Sequence, residues 1–203
     1  MESKKGKGRQ QLILLIAFFV APIVIAIIMY NLVPEGGPAE TKNHGDLVVP
    51  ARPLIDVKLQ NEAGKNYQFS DMNKTWVMVY IGDAECDKNC ADVLYKMRQS
   101  RLAQSGEHLR IKRLYISTAG KAKTTLIDVL KDHPGLEVVH GDALAVSNVL
   151  KQFELENKPA AKLANRLYLV DPFGNLMLSY KNGFDATGLI KDMTLLLKVS
   201  RIG

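Results

Sequence analysis

Between Gln10 and Val33 the chain carries no charged residue, and Leu12–Tyr30 is an unbroken apolar run. At about 1.5 Å per residue, a helix over Leu12–Val33 reaches roughly 33 Å, enough to cross a bilayer. No later stretch approaches this run. A plain cytosolic enzyme and a bundle of spans are both excluded. A cleavable leader has a shorter apolar region, about 7–15 residues, ending in small residues. This run ends in Met29-Tyr30-Asn31-Leu32, which suits an uncleaved anchor, and a proline such as Pro22 is tolerated inside a membrane helix.

Half of the net charge of +6 lies before the run, where Lys4, Lys5, Lys7 and Arg9 face only Glu2. Cations ahead of a span hold that end in the cytoplasm and send the following domain across. The expected location is a bacterial inner membrane, single-pass, with a periplasmic C-terminal domain. The charge of the remainder is ordinary and its aromatics are not interleaved with basic residues, so no nucleic-acid partner is expected. The predicted layout is a basic tail (1–10), a transmembrane anchor (11–33), a flexible linker (34–48) and one soluble domain (49–203). That domain is large enough to bury a core of its own.

Within the domain, strand-like and helix-like segments alternate. Leu54–Leu59 alternates apolar and polar residues, and Asn61–Lys65 turns the chain into Tyr67-Gln68-Phe69, a hairpin. Trp76–Ile81 is continuously apolar, as in a strand buried on both faces. A helix is predicted over 87–104, with Cys90, Val93, Leu94 and Met97 on one stripe. Strands follow at 109–116, 136–139, 166–170 and 176–180, and helices at 123–132, 143–153 and 187–199. This order gives an α/β fold with a mixed central sheet flanked by helices and an N-terminal β-hairpin.

The two cysteines, Cys86 and Cys90, lie where the most buried-looking strand meets a helix, the edge at which open α/β sheets place their sites. Thiols four residues apart share one face of a helix start. They can close on one soft metal ion, oxidise to a disulfide, or serve as a purely structural pair. A helix N-terminus favours the Cys86 thiolate. The acids Asp83, Glu85 and Asp87 disfavour it and attract cations instead, with Lys88 the one local cation in sequence. Alternating acids in such a loop are read as solvated rather than catalytic. No phosphate loop, HExxH, GxSxG or second cysteine pair is present.

The apolar strand running through Gly82 into Cys86-x-x-x-Cys90, with Asp171-Pro172-Phe173-Gly174 in a late hairpin and an N-terminal anchor, resembles the Sco/SenC/PrrC family. Its members are membrane-anchored thioredoxin-fold proteins of cytochrome c oxidase assembly. The resemblance implies a thioredoxin-like fold over about 54–197 and copper held by Cys86, Cys90 and a histidine before the DPxG strand. The implied partner is a respiratory oxidase subunit or another copper or thiol protein. The chain departs from the family pattern at three places. Asp87 and Ala91 stand where proline usually follows each cysteine, and Leu163 falls at the histidine position. Asn165 stands where ordinary thioredoxins have proline.

His140, at the end of the strand 136–139, is the candidate third ligand, set against a plain strand-terminal role. His133, before Pro134-Gly135, reads as a helix C-cap; His44 in the linker and His108 beside Glu107 read as solvated. Met72, Met78, Met97, Met177 and Met193 read as core filler rather than a copper box. Three uses of Cys86 and Cys90 stay open: Cu(I) transfer, a redox-active pair exchanging disulfides, and a scaffold that has lost its site.

Overall fold

The computed structural model describes residues 3–32, 42–72, 74–155, 165–200 and 202, in two units, Met1–Lys42 and Asn43–Gly203. In the first unit, helix α1 (Ser3–Leu32) contains Pro22. Its segment Gly8–Leu32 is long and apolar enough to cross a membrane, and its side chains from Leu12 to Leu32 are exposed. Asn31 Nδ2 donates back to the Ile27 carbonyl at 2.8 Å, so this amide is satisfied within the helix.

The second unit contains β1 (Asp46–Pro53), β2 (Leu59–Asn61), β3 (Asn66–Tyr67), β4 (Trp76–Gly82), α2 (Lys88–Leu102), β5 (Ile111–Ser117), α3 (Thr124–Leu130), β6 (Leu136–His140), α4 (Ala143–Phe153), β7 (Leu167–Val170), β8 (Asn175–Tyr180) and α5 (Ala186–Val199). The strands form one sheet in the order β1-β8-β7-β4-β5-β6-β2-β3. β4, β5 and β6 are parallel, and β7, β8, β1, β2 and β3 join antiparallel. The mixed α/β sheet agrees with the sequence reading.

Alternation along β4 divides the core. Val77, Val79 and Ile81 face one layer with Val149 and Phe153 of α4. Trp76, Met78 and Tyr80 face the other, with Cys90, Val93, Leu94 and Met97 of α2 and Leu189, Met193 and Leu197 of α5. The predicted stripe of α2 is thus the buried one. Met78 and Met97 are fully buried, and truncating such a side chain costs about 2–5 kcal/mol.

Three expectations change at the domain's N-terminal side. The strand predicted at Leu54–Leu59 begins only at Leu59. Gln152 takes both backbone groups of Ile55 (N–H to Oε1 at 2.6 Å, Nε2 to the carbonyl at 3.0 Å), so a side chain replaces the sheet ladder there. An unpredicted strand, β1, runs from Asp46. Its prolines, Pro50 and Pro53, are compatible because it lies at the sheet edge. The sheet therefore begins inside the segment read as linker; residues 34–41 of that segment, with Val33 of the predicted anchor, lie outside the described residues.

The third change concerns His44, which is not merely solvated. The Asp192 carboxylate, 4% exposed, accepts from the His44 N–H, the Gly45 N–H and Tyr180 Oη at 2.8–3.0 Å. His44 Nδ1 lies 3.0 Å from Asp192 Oδ1. A buried carboxylate needs such donors, and the chain supplies them by pinning residues 44–45 against α5. Gly188 permits it, since a Cβ there would sit 2.7 Å from His44 Cβ.

Candidate functional site

The site grows from the C-terminal end of β4. Thr118 N–H and Oγ1 both donate to the Gly82 carbonyl (2.8 and 3.0 Å), and Lys123 N–H donates to the Ala84 carbonyl (2.9 Å). These bonds fix the loop 82–87 against the segment after β5. Asp87 then N-caps α2, accepting from the Cys90 N–H at 2.8 Å. Cys86 precedes the cap and its N–H donates to Thr125 Oγ1 at 3.1 Å. Cys90 sits in the first helical turn, and the two cysteines form a disulfide with Cα atoms 5.2 Å apart. The two sulfur residues differ in access: Cys86 is half-buried and Cys90 only 3% exposed.

Beneath the disulfide lie two tyrosines that the sequence reading passed over. Tyr80 and Tyr115 are register partners on β4 and β5, with ring centroids 5.3 Å apart. Tyr115 Oη lies 3.8 Å from Cys90 Sγ and donates to the Asp83 carbonyl at 2.6 Å. Tyr80 Oη donates to Asn165 Oδ1 at 2.6 Å. Burial pushes both hydroxyls well above the usual tyrosine range. The Asp87 charge adds to the effect at Tyr80; Tyr80, Asp83 and Asp87 add to it at Tyr115. Both remain neutral donors. The register was the available signal: aligning β4 with β5 in parallel brings Tyr80 beside Tyr115 on the cysteine face.

Asn165, singled out for its missing proline, is left-handed with φ +62°, a conformation asparagine tolerates better than most residues. The acids are partly structural. Asp87 caps the helix, Asp83 Oδ1 accepts from the Ala84 N–H at 2.6 Å, and Glu85 pairs with Lys123 at 3.1 Å. Lys123 is thus a second local cation beside Lys88, brought in by the fold.

His140 is not gathered to the cysteines. Register places Gly82 beside Ser117 and Ser117 beside His140, two strands and about 9–10 Å across the sheet. His140 lines a cavity of about 720 Å³ with Asp56, Gln60, Tyr67, Gln68 and Asp142, and its Nε2 is buried without a hydrogen bond. His133 is not a charged C-cap. It is 6% exposed, and burial with the nearby Arg113 and Arg98 charges lowers its pKa, against a smaller raising by Asp132. His108 is half-buried, its Nδ1 against the Ser105 carbonyl. Leu163 lies outside the described residues.

Among the described residues no three His, Cys, Asp or Glu side chains gather as a metal site. The three-donor copper set implied by the resemblance is not assembled by these residues, whereas the two cysteines are joined to each other as a disulfide.

Residues 76–200 match the transmembrane-like, thioredoxin-like C-terminal domain family, and residues 3–33 match its transmembrane-like N-terminal domain. The chain belongs to this family. No curated protein sequence matches it. Among solved structures, this thioredoxin-like domain has the fold of the Sco proteins. Yeast Sco1 with copper bound is 19% identical, with a TM-score of 0.60 over 73% of this chain and 90% of that one. Bradyrhizobium japonicum ScoI with copper bound is 17% identical, with a TM-score of 0.54 over 71% and 98%. BsSco, a Sco-family cytochrome c oxidase assembly protein with an identified disulfide switch, is 16% identical, with a TM-score of 0.57 over 76% and 99%.

Proposed function

We propose that the chain is a membrane-anchored, thioredoxin-like accessory protein that helps mature the copper centre of a cytochrome c oxidase through thiol–disulfide exchange at Cys86 and Cys90. The observation that carries the reading is the asymmetry of the disulfide, one sulfur residue half-buried and the other in the core. A partner thiolate attacks the accessible Cys86 Sγ and Cys90 leaves; in the opposite direction Cys86 attacks a partner disulfide and Cys90 resolves the mixed disulfide. The partner is an oxidase subunit or another thiol protein.

The anchor holds the domain at the outer face of a bacterial inner membrane. Support comes from the cations ahead of the apolar run of α1 and from the disulfide itself, which persists in oxidising compartments. Cells carrying Cys86→Ser/Cys90→Ser should show loss of assembled, copper-loaded oxidase in their membranes, restored by the native chain. Unchanged oxidase copper would contradict the reading.

A second reading is favoured by the copper-bound Sco structures of the same fold. Once reduced, Cys86 and Cys90 hold Cu(I) as cargo through two soft thiolates. Titration of the reduced chain with Cu(I) against a competing chelator should then give one ion per chain, lost in the double variant. Binding that survives in that variant would remove this reading.

A further inference from the structure

We propose that Tyr115 is the hydrogen-bond donor that stabilises the Cys90 sulfur as it leaves the disulfide, an inference that rests on the exchange reading above. The step begins when the thiolate of a dithiol reductant attacks Cys86 Sγ. The bond from the reductant's sulfur to Cys86 Sγ forms and the Cys86–Cys90 bond breaks, its electron pair leaving on Cys90 Sγ. The second thiol of the reductant passes its proton, by way of solvent, to the Cys90 thiolate and its sulfur displaces Cys86 as thiolate, leaving two reduced cysteines and an oxidised reductant.

Charge therefore develops on a sulfur that is 3% exposed, where a bare anion is costly. The polar atom placed against that sulfur is Tyr115 Oη, at 3.8 Å. Its proton points to the Asp83 carbonyl, 2.6 Å away, and rotation about the C–O bond redirects it to Cys90. Asp83 is an exposed loop residue, so water is at hand to take over its carbonyl. Burial keeps the Tyr115 hydroxyl protonated, hence a donor throughout.

The sequence makes room for this arrangement. A Cβ at Gly82 would lie 2.4 Å from Tyr115 Oη and 2.7 Å from Tyr80 Cε1, so only glycine leaves the hydroxyl its place. Tyr80 packs against the ring from the neighbouring strand and holds it under the disulfide.

The test is made on the full chain in detergent, comparing native and Tyr115→Phe proteins. Phenylalanine keeps the ring packing and removes only the hydroxyl. The second-order rate constant for reduction by dithiothreitol at neutral pH should fall about tenfold, the effect of losing one hydrogen bond to a charged group. Alkylation of Cys86 by iodoacetamide in the reduced chain should stay within about twofold, because Cys90 is not the leaving group in that reaction. A reduction rate within about twofold of native would overturn the proposal. So would an equal fall in both rates, the mark of a merely structural role. Dithiothreitol requires no partner protein, so this outcome is independent of the oxidase experiment.

Discussion

The Asp192 carboxylate on α5 accepts the His44 backbone N–H through both oxygens, at 2.9 and 3.0 Å. With the Gly45 N–H and Tyr180 Oη added, one buried acid pins the start of the domain to its last helix. Asp192→Asn places an NH₂ among these donors and removes the charge they stabilise. Hydrogen bonds to charged groups contribute about 1.5–3 kcal/mol each. Non-additivity limits the total, and a loss of about 2–4 kcal/mol in denaturant-induced unfolding is expected. A change under about 0.5 kcal/mol would mean that this contact is not maintained in solution.

The same contacts decide where the domain can be cut. A chain starting at residue 43 keeps the Arg166–Asp46 pair, 2.8 Å, in which Arg166 is 6% exposed. A chain starting at residue 49 loses it and strands the guanidinium with Ser179 Oγ. The bonds of residues 44 and 45 to Asp192 go with it; because Asp46 is 38% exposed, the ion pair's own share lies below the roughly 3–5 kcal/mol of a fully buried pair. Thermal unfolding of the two fragments should show the shorter one much less stable or unfolded; equal melting would refute the boundary.

Much of this architecture was legible in the sequence because single-segment patterns decide it. The run Trp76–Ile81 can be buried only on both faces, and the Cys90–Val93–Leu94–Met97 stripe fixes which side of α2 faces inward. What escaped depends on contacts distant in sequence. β1 carries two prolines and becomes a strand only because β8 offers it an edge. Ile55 finds its hydrogen bonds on Gln152, 97 residues away. His44 looked solvated until Asp192, 148 residues on, met it. The cysteine pair was visible from spacing and position. The tyrosines beneath it were not, since Tyr80 and Tyr115 read as ordinary strand aromatics until the parallel register joins them.

His133 makes stability depend on pH. Its folded pKa is lowered by burial and by Arg113 and Arg98, with Asp132 opposing. Between that lowered value and the ordinary value of about 6.5, the unfolded chain binds more protons. Stability therefore falls as pH drops through this window, by at most about 1.4 kcal/mol per pH unit for the one group. In His133→Phe, whose ring fills the same site without titrating, the decline below pH 6.5 should be shallower in urea unfolding at stepped pH. Parallel curves for the two proteins would exclude His133 as the source.

The orientation proposed above rests on the cations ahead of the apolar run of α1. Alkaline phosphatase fused after residue 45 should be active in bacterial cells, and a reporter that works only in the cytoplasm should be inactive there. The opposite pattern would reverse the orientation and remove the oxidising compartment on which the disulfide depends.

The account rests most on Cys86 being the attacked sulfur and Cys90 the buried one that leaves or resolves. Full-length Cys90→Ser and Cys86→Ser chains, expressed in cells and acid-quenched, can be compared for mixed disulfides on non-reducing gels. Cys90→Ser should accumulate reductant-sensitive adducts through Cys86, because its resolving thiol is gone, while Cys86→Ser should yield almost none. Equal adducts from both variants, or none from either, would contradict thiol exchange at this site.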